Sequence, residues 1–442
     1  MKSFKSSRFV SFALMSLFVF LFSLSASPTA FAQTLENEKG RGRDILDAIK
    51  KDIVKNYYDP TFGGKDMDAI FKSAEERINK ATAIGQILGV VAQTLMQFDD
   101  SHTYFVPPAP ADSIQHGWEM QLIGDKCYVV AVKQGSDAEA KGLKPGDEIL
   151  VIGGYTPMRK NLQNLLFFLK SAKSMKVLVK RSDGATERLE VMAKVRAGKR
   201  VLDLRSPNPG ADISTLIREA ENDAFRRHRY YDIGDEGIIW RMPTFNSDKV
   251  IDDLMEKAKG RKFLILDLRG NGGGYETALQ RLTGYFFDRD VKIGDLKSRK
   301  ESKTLTAKTR GKNVFTGKLI VLVDGESGSA SELFARVVQL EKRGTIVGDQ
   351  TPGVVMQGTY FPHKSGLDLV FYYGVSVTTA DLIMTDGKSL ERVGVTPDER
   401  LIPTPEDLAA GRDPVLSRAA TLVGLKIEPE KAGQMFPVEW RP

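Results

Sequence analysis

The chain has 442 residues, with 64 basic against 57 acidic side chains, a formal net charge of +7, four histidines and one cysteine. A mildly basic composition without a long Lys/Arg tract excludes a nucleic-acid binder, and so few histidines and cysteines at no ligand spacing exclude a zinc site. Cys127 is alone, so no intramolecular disulfide is available, and the length predicts two or three domains.

Lys2, Lys5 and Arg8 precede an apolar run from Phe9 to about Ala26, followed by Ala30-Phe31-Ala32. A charged region, an apolar region and a small-x-small site predict a secretory signal peptide over residues 1–32, cleaved near Ala32. The alternative is an uncleaved membrane anchor, because the run approaches spanning length; membrane association is expected only through such an uncleaved segment. Cleavage removes three basic and no acidic residues, taking the charge from +7 to +4 and leaving a secreted or periplasmic chain of 410 residues. Without disulfides the core supplies the stability, and Cys127 is expected to be a small buried hydrophobe.

Residues 33–115 read as a helical region. Ile45, Ile49 and Ile53 lie four apart, and Ile84, Leu88, Val91 and Leu95 repeat the stripe, with Pro60 and Gly63-Gly64 between them. These stripes are core faces. The region ends in Asp100-Ser101-His102-Thr103 before Pro107 and Pro108, where a side chain is presented rather than packed.

Residues 116–195 change character. Met120 and Leu122, then residues 127–132, give strands, and residues 135–140 start a short helix. Gly142-Leu143-Lys144-Pro145-Gly146-Asp147-Glu148-Ile149-Leu150 turns into another strand. The segment from Ala138 to Leu150 resembles a PDZ domain, which implies a second helix over 162–169 and last strands over 175–179 and 188–191. PDZ domains take an extended peptide C-terminus at a sheet edge. By that resemblance the peptide site lies around Trp118, Glu119, Met120, Gln121 and Leu122, although the usual glycine-rich loop is only partly matched.

Residues 196–442 form the last region. Its start is charged and broken by Pro207, Pro209 and Gly210, and Arg226-Arg227-His228-Arg229 reads as a solvated face. A strand is predicted over 237–242, a helix over 248–259 and a buried strand over 263–269. The latter runs into Gly270-Asn271-Gly272-Gly273-Gly274 and a helix through Leu282. No nucleotide fingerprint or P-loop lysine is present; glycines here allow close backbone approach to an oxyanion or make a plain tight turn. Residues 319–323 are a buried strand. Asp324-Gly325-Glu326-Ser327-Gly328 is a turn, and Ser329 and Glu332 stand at capping-box spacing at a helix start. A serine at such a turn either caps the helix or stands clear beside free N–H groups that stabilise negative charge.

Three segments, Asp267-Leu268-Arg269-Gly270-Asn271-Gly272-Gly273-Gly274, Ser329-Ala330-Ser331-Glu332 and Gly394-Val395-Thr396-Pro397-Asp398, together resemble the tail-specific (carboxyl-terminal processing) serine peptidases. The resemblance implies an α/β multidomain protein with an N-terminal helical region, a PDZ-like β-domain and an α/β catalytic core of the crotonase-like type. It implies protein or peptide substrates with accessible C-termini, and no metal or other cofactor. The nucleophile is implied to be Ser329, with Ser327 and Ser331 as the neighbours a shifted register would select. Many such peptidases place a lysine after a Gly-x-x-Thr-x-Gly segment; here Gly348-Asp349-Gln350-Thr351-Pro352-Gly353 is followed by Val354, which accepts no proton. Lys364 is the nearest downstream lysine and is out of register. The chain is similar instead to a tricorn-core-like branch with a histidine base oriented by a glutamate, implying His102 and Glu391, with Asp386 and Asp398 as alternative orienters. The amide of Ala330 and one of Gly272 and Gly273 are the implied oxyanion donors. Val354 also leaves a second expectation, a catalytically inactive PDZ-containing adaptor on the same fold.

Overall fold

The computed structural model describes residues 28–108, 112–159, 172–196, 227–365 and 371–440, with Leu162, Leu165 and Leu169. The expected signal-peptide core, most of the expected helix at 162–169 and residues 197–226 lie outside the described residues.

Helices α1 (Pro28–Asn56), α2 (Met67–Asn79) and α3 (Ile84–Leu95) open the chain, and strand β1 (Tyr104–Val106) follows. Asp66 caps α2 by accepting the Ala69 amide at 3.0 Å. The predicted isoleucine stripe of α1 is fully buried, together with Ile78, Ile87, Val91 and Leu95. Its partner is not another helix layer alone. Phe105 of β1 and Tyr373, Val375 and Val377 from far along the chain complete the same core.

Next come β2 (Ser113–Gln115), β3 (Trp118–Ile123), β4 (Lys126–Val132), helix α4 (Asp137–Ala140), β5 (Glu148–Ile152), β6 (Ser174–Lys180), β7 (Thr186–Met192) and β8 (Lys194–Arg196). β3 to β7 form one antiparallel sheet in sequence order, which leaves β3 at an edge. β2 and β8 pair with each other, so the chain enters and leaves this sheet through one two-stranded ribbon. Cys127 lies in the sheet's own core, and burial pushes its thiol up to about 12.

The remainder is built on β9 (Arg229–Asp232), β10 (Gly237–Arg241), α5 (Asp248–Ala258), β11 (Phe263–Asp267), α6 (Glu276–Thr283), β12 (Val291–Ser298) and β13 (Ser302–Ala307). It continues through β14 (Lys318–Val323), α7 (Ala330–Leu340), β15 (Thr345–Gly348), β16 (Gln357–Ser365), β17 (Phe371–Met384) and β18 (Glu399–Arg400). Helices α8 (Pro405–Ala409), α9 (Pro414–Leu422) and α10 (Pro429–Met435) close it. A six-stranded sheet runs β18-β15-β14-β11-β10-β9, parallel except at β9. Every residue of β11 is buried, as a strand covered on both faces requires. Side chains of α5, α6 and α7 cover one face and those of α9 and α10 the other. A second sheet joins β13, β12, β17 and β1, with β16 also on β17.

One local expectation fails here. His228 is not on a solvated face: its Nδ1 accepts the Trp240 indole N–H at 3.3 Å, and burial pushes the ring down to about 4. A single inward-facing residue in a polar run leaves no mark on composition.

Candidate active site

β11 and β14 are parallel neighbours, with Asp267 in register with Leu322, so the loops that follow them emerge side by side. Such an end of a parallel sheet is where α/β folds place their chemistry. Asp267 is wholly buried. Burial pushes its carboxyl up, but Arg269 at 2.8 Å, with Arg241 beyond it, outweighs that and holds it below the usual range. Arg269 also takes Asp413, the cap of α9, at 2.9 and 2.7 Å, which pins the start of the glycine loop to the helices beneath.

Asn271 joins the two loops. Its carbonyl accepts the Gly328 amide and the Ser331 hydroxyl, each at 2.9 Å, while its side chain bonds Met242 and the Gly273 amide. A β-carbon on Gly273, whose φ is +100°, would lie 2.6 Å from Ser329 Cβ, so only glycine fits beside that serine.

Three serines compete in the turn, and hydrogen bonding separates them. Ser327 and Ser331 are fully buried and donate to the carbonyls of Leu268 and Asn271 at 2.9 Å. Ser329 is only partly buried and caps α7 with φ 54° and ψ −117°, a strained conformation for a residue with a β-carbon. Glu332 is more than the partner of a capping box. Its buried carboxylate accepts the amides of Ser329, Gly353 and Val354 at 3.0, 2.7 and 2.8 Å and the Thr351 hydroxyl at 2.6 Å. Burial pushes it up to about 7 against the pull of these four donors.

The next amide along, Val355, donates to Glu391 at 3.1 Å. Glu391 accepts both the amide and the hydroxyl of Ser101 at 2.9 Å, and Ser101 Oγ stands 2.7 Å from His102 Nδ1. The carboxylate thus meets the imidazole through a hydroxyl, not directly. Burial pushes Glu391 up, against Val355 and Ser101. Asp100 shapes the loop by accepting the amides of His102 and Thr103 at 2.9 and 2.7 Å and the Tyr57 hydroxyl at 3.0 Å. Burial lowers His102 from its ordinary 6.5, with Asp100 opposing.

These bonds make two sets, one tying the Ser329 turn to Glu332 and the Val354 amide, the other tying the Val355 amide to Glu391, Ser101 and His102, and the two meet at the peptide between Val354 and Val355. Of the three amides singled out in the sequence, that of Gly273 is given to Asn271 Oδ1 at 2.9 Å. Among the described residues, those of Gly272 and Ala330 donate to no protein acceptor. Val354 abuts the serine turn, its Cγ2 2.8 Å from where a Gly328 β-carbon would stand. Lys364 is exposed on β16, and Asp386 and Asp398 are occupied by Arg336, Gln339 and the Ile346 amide. Trp118 to Leu122 form most of β3, and Gln121 bonds Asp324 in the turn before Ser329. No cluster of His, Cys, Asp or Glu among the described residues is arranged to hold a metal ion. Sequence reasoning missed Ser101, Asn271 and Asp100; the hydroxyl next to His102 was the one local signal.

Residues 237–401 match the family model described as Peptidase family S41. Carboxy-terminal processing protease CtpA of Bacillus subtilis is 24% identical over 320 residues, which are 70% of this chain and 62% of that protein. The chloroplastic carboxyl-terminal-processing peptidase 1 of Arabidopsis thaliana is 24% identical over 375 residues, 81% of this chain and 70% of that one. Mature CPAF in complex with lactacystin has the same fold at a TM-score of 0.59 and 15% identity, over 84% of this chain and 95% of that one.

Proposed function

The chain carries a peptidase family S41 domain, and on that premise we propose that it is a serine endopeptidase acting on proteins or peptides through Ser329, His102 and Glu391. The observation that carries the reading is the line Glu391–Ser101–His102. The Ser101 hydroxyl donates to the carboxylate, so its oxygen accepts from Nδ1–H, and that tautomer leaves the Nε2 lone pair to act as base. Ser329 Oγ adds to the scissile carbonyl carbon as its proton passes to Nε2. The carbonyl oxygen, now negative, takes the amides of Gly272 and Ala330 at the start of α7. The C–N bond breaks as Nε2 returns the proton to the leaving amine. Water then adds to the acyl carbon as His102 takes its proton, and the bond to Ser329 Oγ breaks as Nε2 returns that proton to the serine oxygen, freeing the acid.

We read residues 116–195 as a PDZ domain that presents substrate C-termini, and the core as of the crotonase-like type; the edge position of β3 and the parallel β10-β11-β14-β15 order support these readings. The N-terminal pattern supports a secreted or periplasmic protein matured near Ala32, which N-terminal sequencing of the mature chain checks. Val354 favours one rival, an inactive adaptor. A fluorophosphonate probe decides: stoichiometric labelling abolished by Ser329→Ala supports the peptidase, whereas folded protein that never labels supports the adaptor.

A further inference from the structure

The layer β1-β17-β16 has two faces, and the steps above use neither beyond His102. Phe105, Val375 and Phe361 are turned into the N-terminal helical core. Alternation therefore sets Tyr104, Ser376 and Tyr360 on the opposite face. Tyr104 and Tyr360 share Ser376 as register partner, so the three stand in one row across the sheet. His102 lies on this face too: a β-carbon on Gly358 would be 2.9 Å from Ser376 Oγ and 3.1 Å from His102 Cβ. Gly358 is two residues before Tyr360, about 7 Å along the strand.

The two tyrosines are 41% and 51% exposed, although each stands on a paired strand. Tyr360 is laid down and not upright, since a β-carbon on Gly374 would strike its ring at 2.4 to 2.6 Å. Burial and the neighbouring Tyr104 both push the Tyr360 hydroxyl up, as expected of two phenols side by side. The result is an apolar shelf, floored by Ser376 and Gly374, one step from the imidazole.

We propose that Tyr104 and Tyr360 bind the half of the substrate that departs as the amine, and select an apolar or aromatic side chain at the first or second residue after the scissile bond. The proposal rests on the reading of His102 as the base. His102 hands its proton to the departing nitrogen, so the chain that follows this nitrogen lies over His102 and its neighbours. An extended peptide advances about 3.3 Å per residue, and one or two residues cover the distance to the rings. Stacking on aromatic faces tolerates Phe, Tyr or Leu and gives nothing to Gly.

The test uses the full chain, with active sites titrated by fluorophosphonate, and quenched peptides that differ only in carrying Phe or Gly at those two positions. The wild type should favour Phe about tenfold in kcat/KM, mainly through KM. Tyr104→Ala and Tyr360→Ala should each reduce the preference to less than about threefold, and Tyr360→Phe should keep it. A measurement on the wild type alone guards against misfolded variants: amine-terminated product peptides beginning with Phe should inhibit at about tenfold lower concentration than those beginning with Gly. Equal kcat/KM and equal inhibition by both, on protein that labels and cleaves, overturn the shelf and leave the peptidase reading intact. Folded protein that neither labels nor cleaves any peptide overturns both.

Discussion

Glu391 holds Ser101 by two donors, the amide and the hydroxyl, each at 2.9 Å, and has no direct bond to His102. The hydroxyl is then as necessary as the carboxylate for fixing the imidazole. We expect Ser101→Ala to lower kcat about a hundredfold with KM little changed, and Ser101→Thr to recover part of the loss. Steady-state kinetics on the three proteins check this, together with the pH profile. Wild-type turnover and an unmoved profile in Ser101→Ala would show that Glu391 does not act through it.

Burial disfavours the imidazolium of His102, so the neutral base persists to lower pH than in an unperturbed histidine. At limiting substrate the rate should rise with pH, reach half its maximum below 6.5 and stay level through neutrality. Asp100 opposes the shift, so Asp100→Asn should move the acidic limb lower still. His102→Ala should cost several orders of magnitude, and Lys364→Ala on exposed β16 very little. A rate still climbing above about pH 9 would point to a lysine base.

Gly273→Ala should separate folding from activity. The new β-carbon meets Ser329 Cβ at 2.6 Å with φ at +100°, a strain of about 1–3 kcal/mol. We expect a folded protein with a lower Tm that no longer labels with fluorophosphonate. Labelling at the wild-type rate would mean that the two loops do not need this approach.

Stability should fall above neutrality because of Glu326. Burial, with Asp324 and Glu119 beside it, pushes its carboxyl from 4.5 to about 8, against Arg241. A folded-state value above the unfolded one gives stability that is complete below 4.5 and lost as pH rises through about 8. Glu332 works the same way up to about 7, while His102 and His228, with lowered values, work oppositely only below 6.5. Above 6.5, where the histidines no longer oppose them, both carboxyls lower stability as pH rises. Tm should fall with pH there in the wild type and fall less steeply in Glu326→Gln; equal slopes in both would refute the assignment.

What the sequence makes legible is local. Five apolar residues before a small-residue turn read as a buried strand, and they are within β14; Ser329 and Glu332 read as a cap, and the Glu332 carboxylate does take the Ser329 amide. The helical stripes of α1 and α3 are equally plain. Their partner, the Val375 face of β17, is not, because no periodicity encodes what covers a stripe. Likewise Ser101 and Glu391 are 290 residues apart, and neither neighbourhood carries a sign of the other. Ser327 and Ser331 are told from Ser329 only by the carbonyls they find after folding.

The amides of Val354 and Val355 belong to adjoining residues yet serve two carboxylates, Glu332 and Glu391. One of these holds the amide of Ser329, and the other holds Ser101 beside His102. The spacing between the two halves is thus gauged by the covalent repeat of the chain, about 3.8 Å from one Cα to the next. Packed side chains drift with each substitution, whereas a peptide unit does not stretch. Such a gauge is indifferent to what the side chains are, so a valine can stand beside the serine turn without disturbing it. Proline is the exception, because it alone removes the N–H from which the measure is taken.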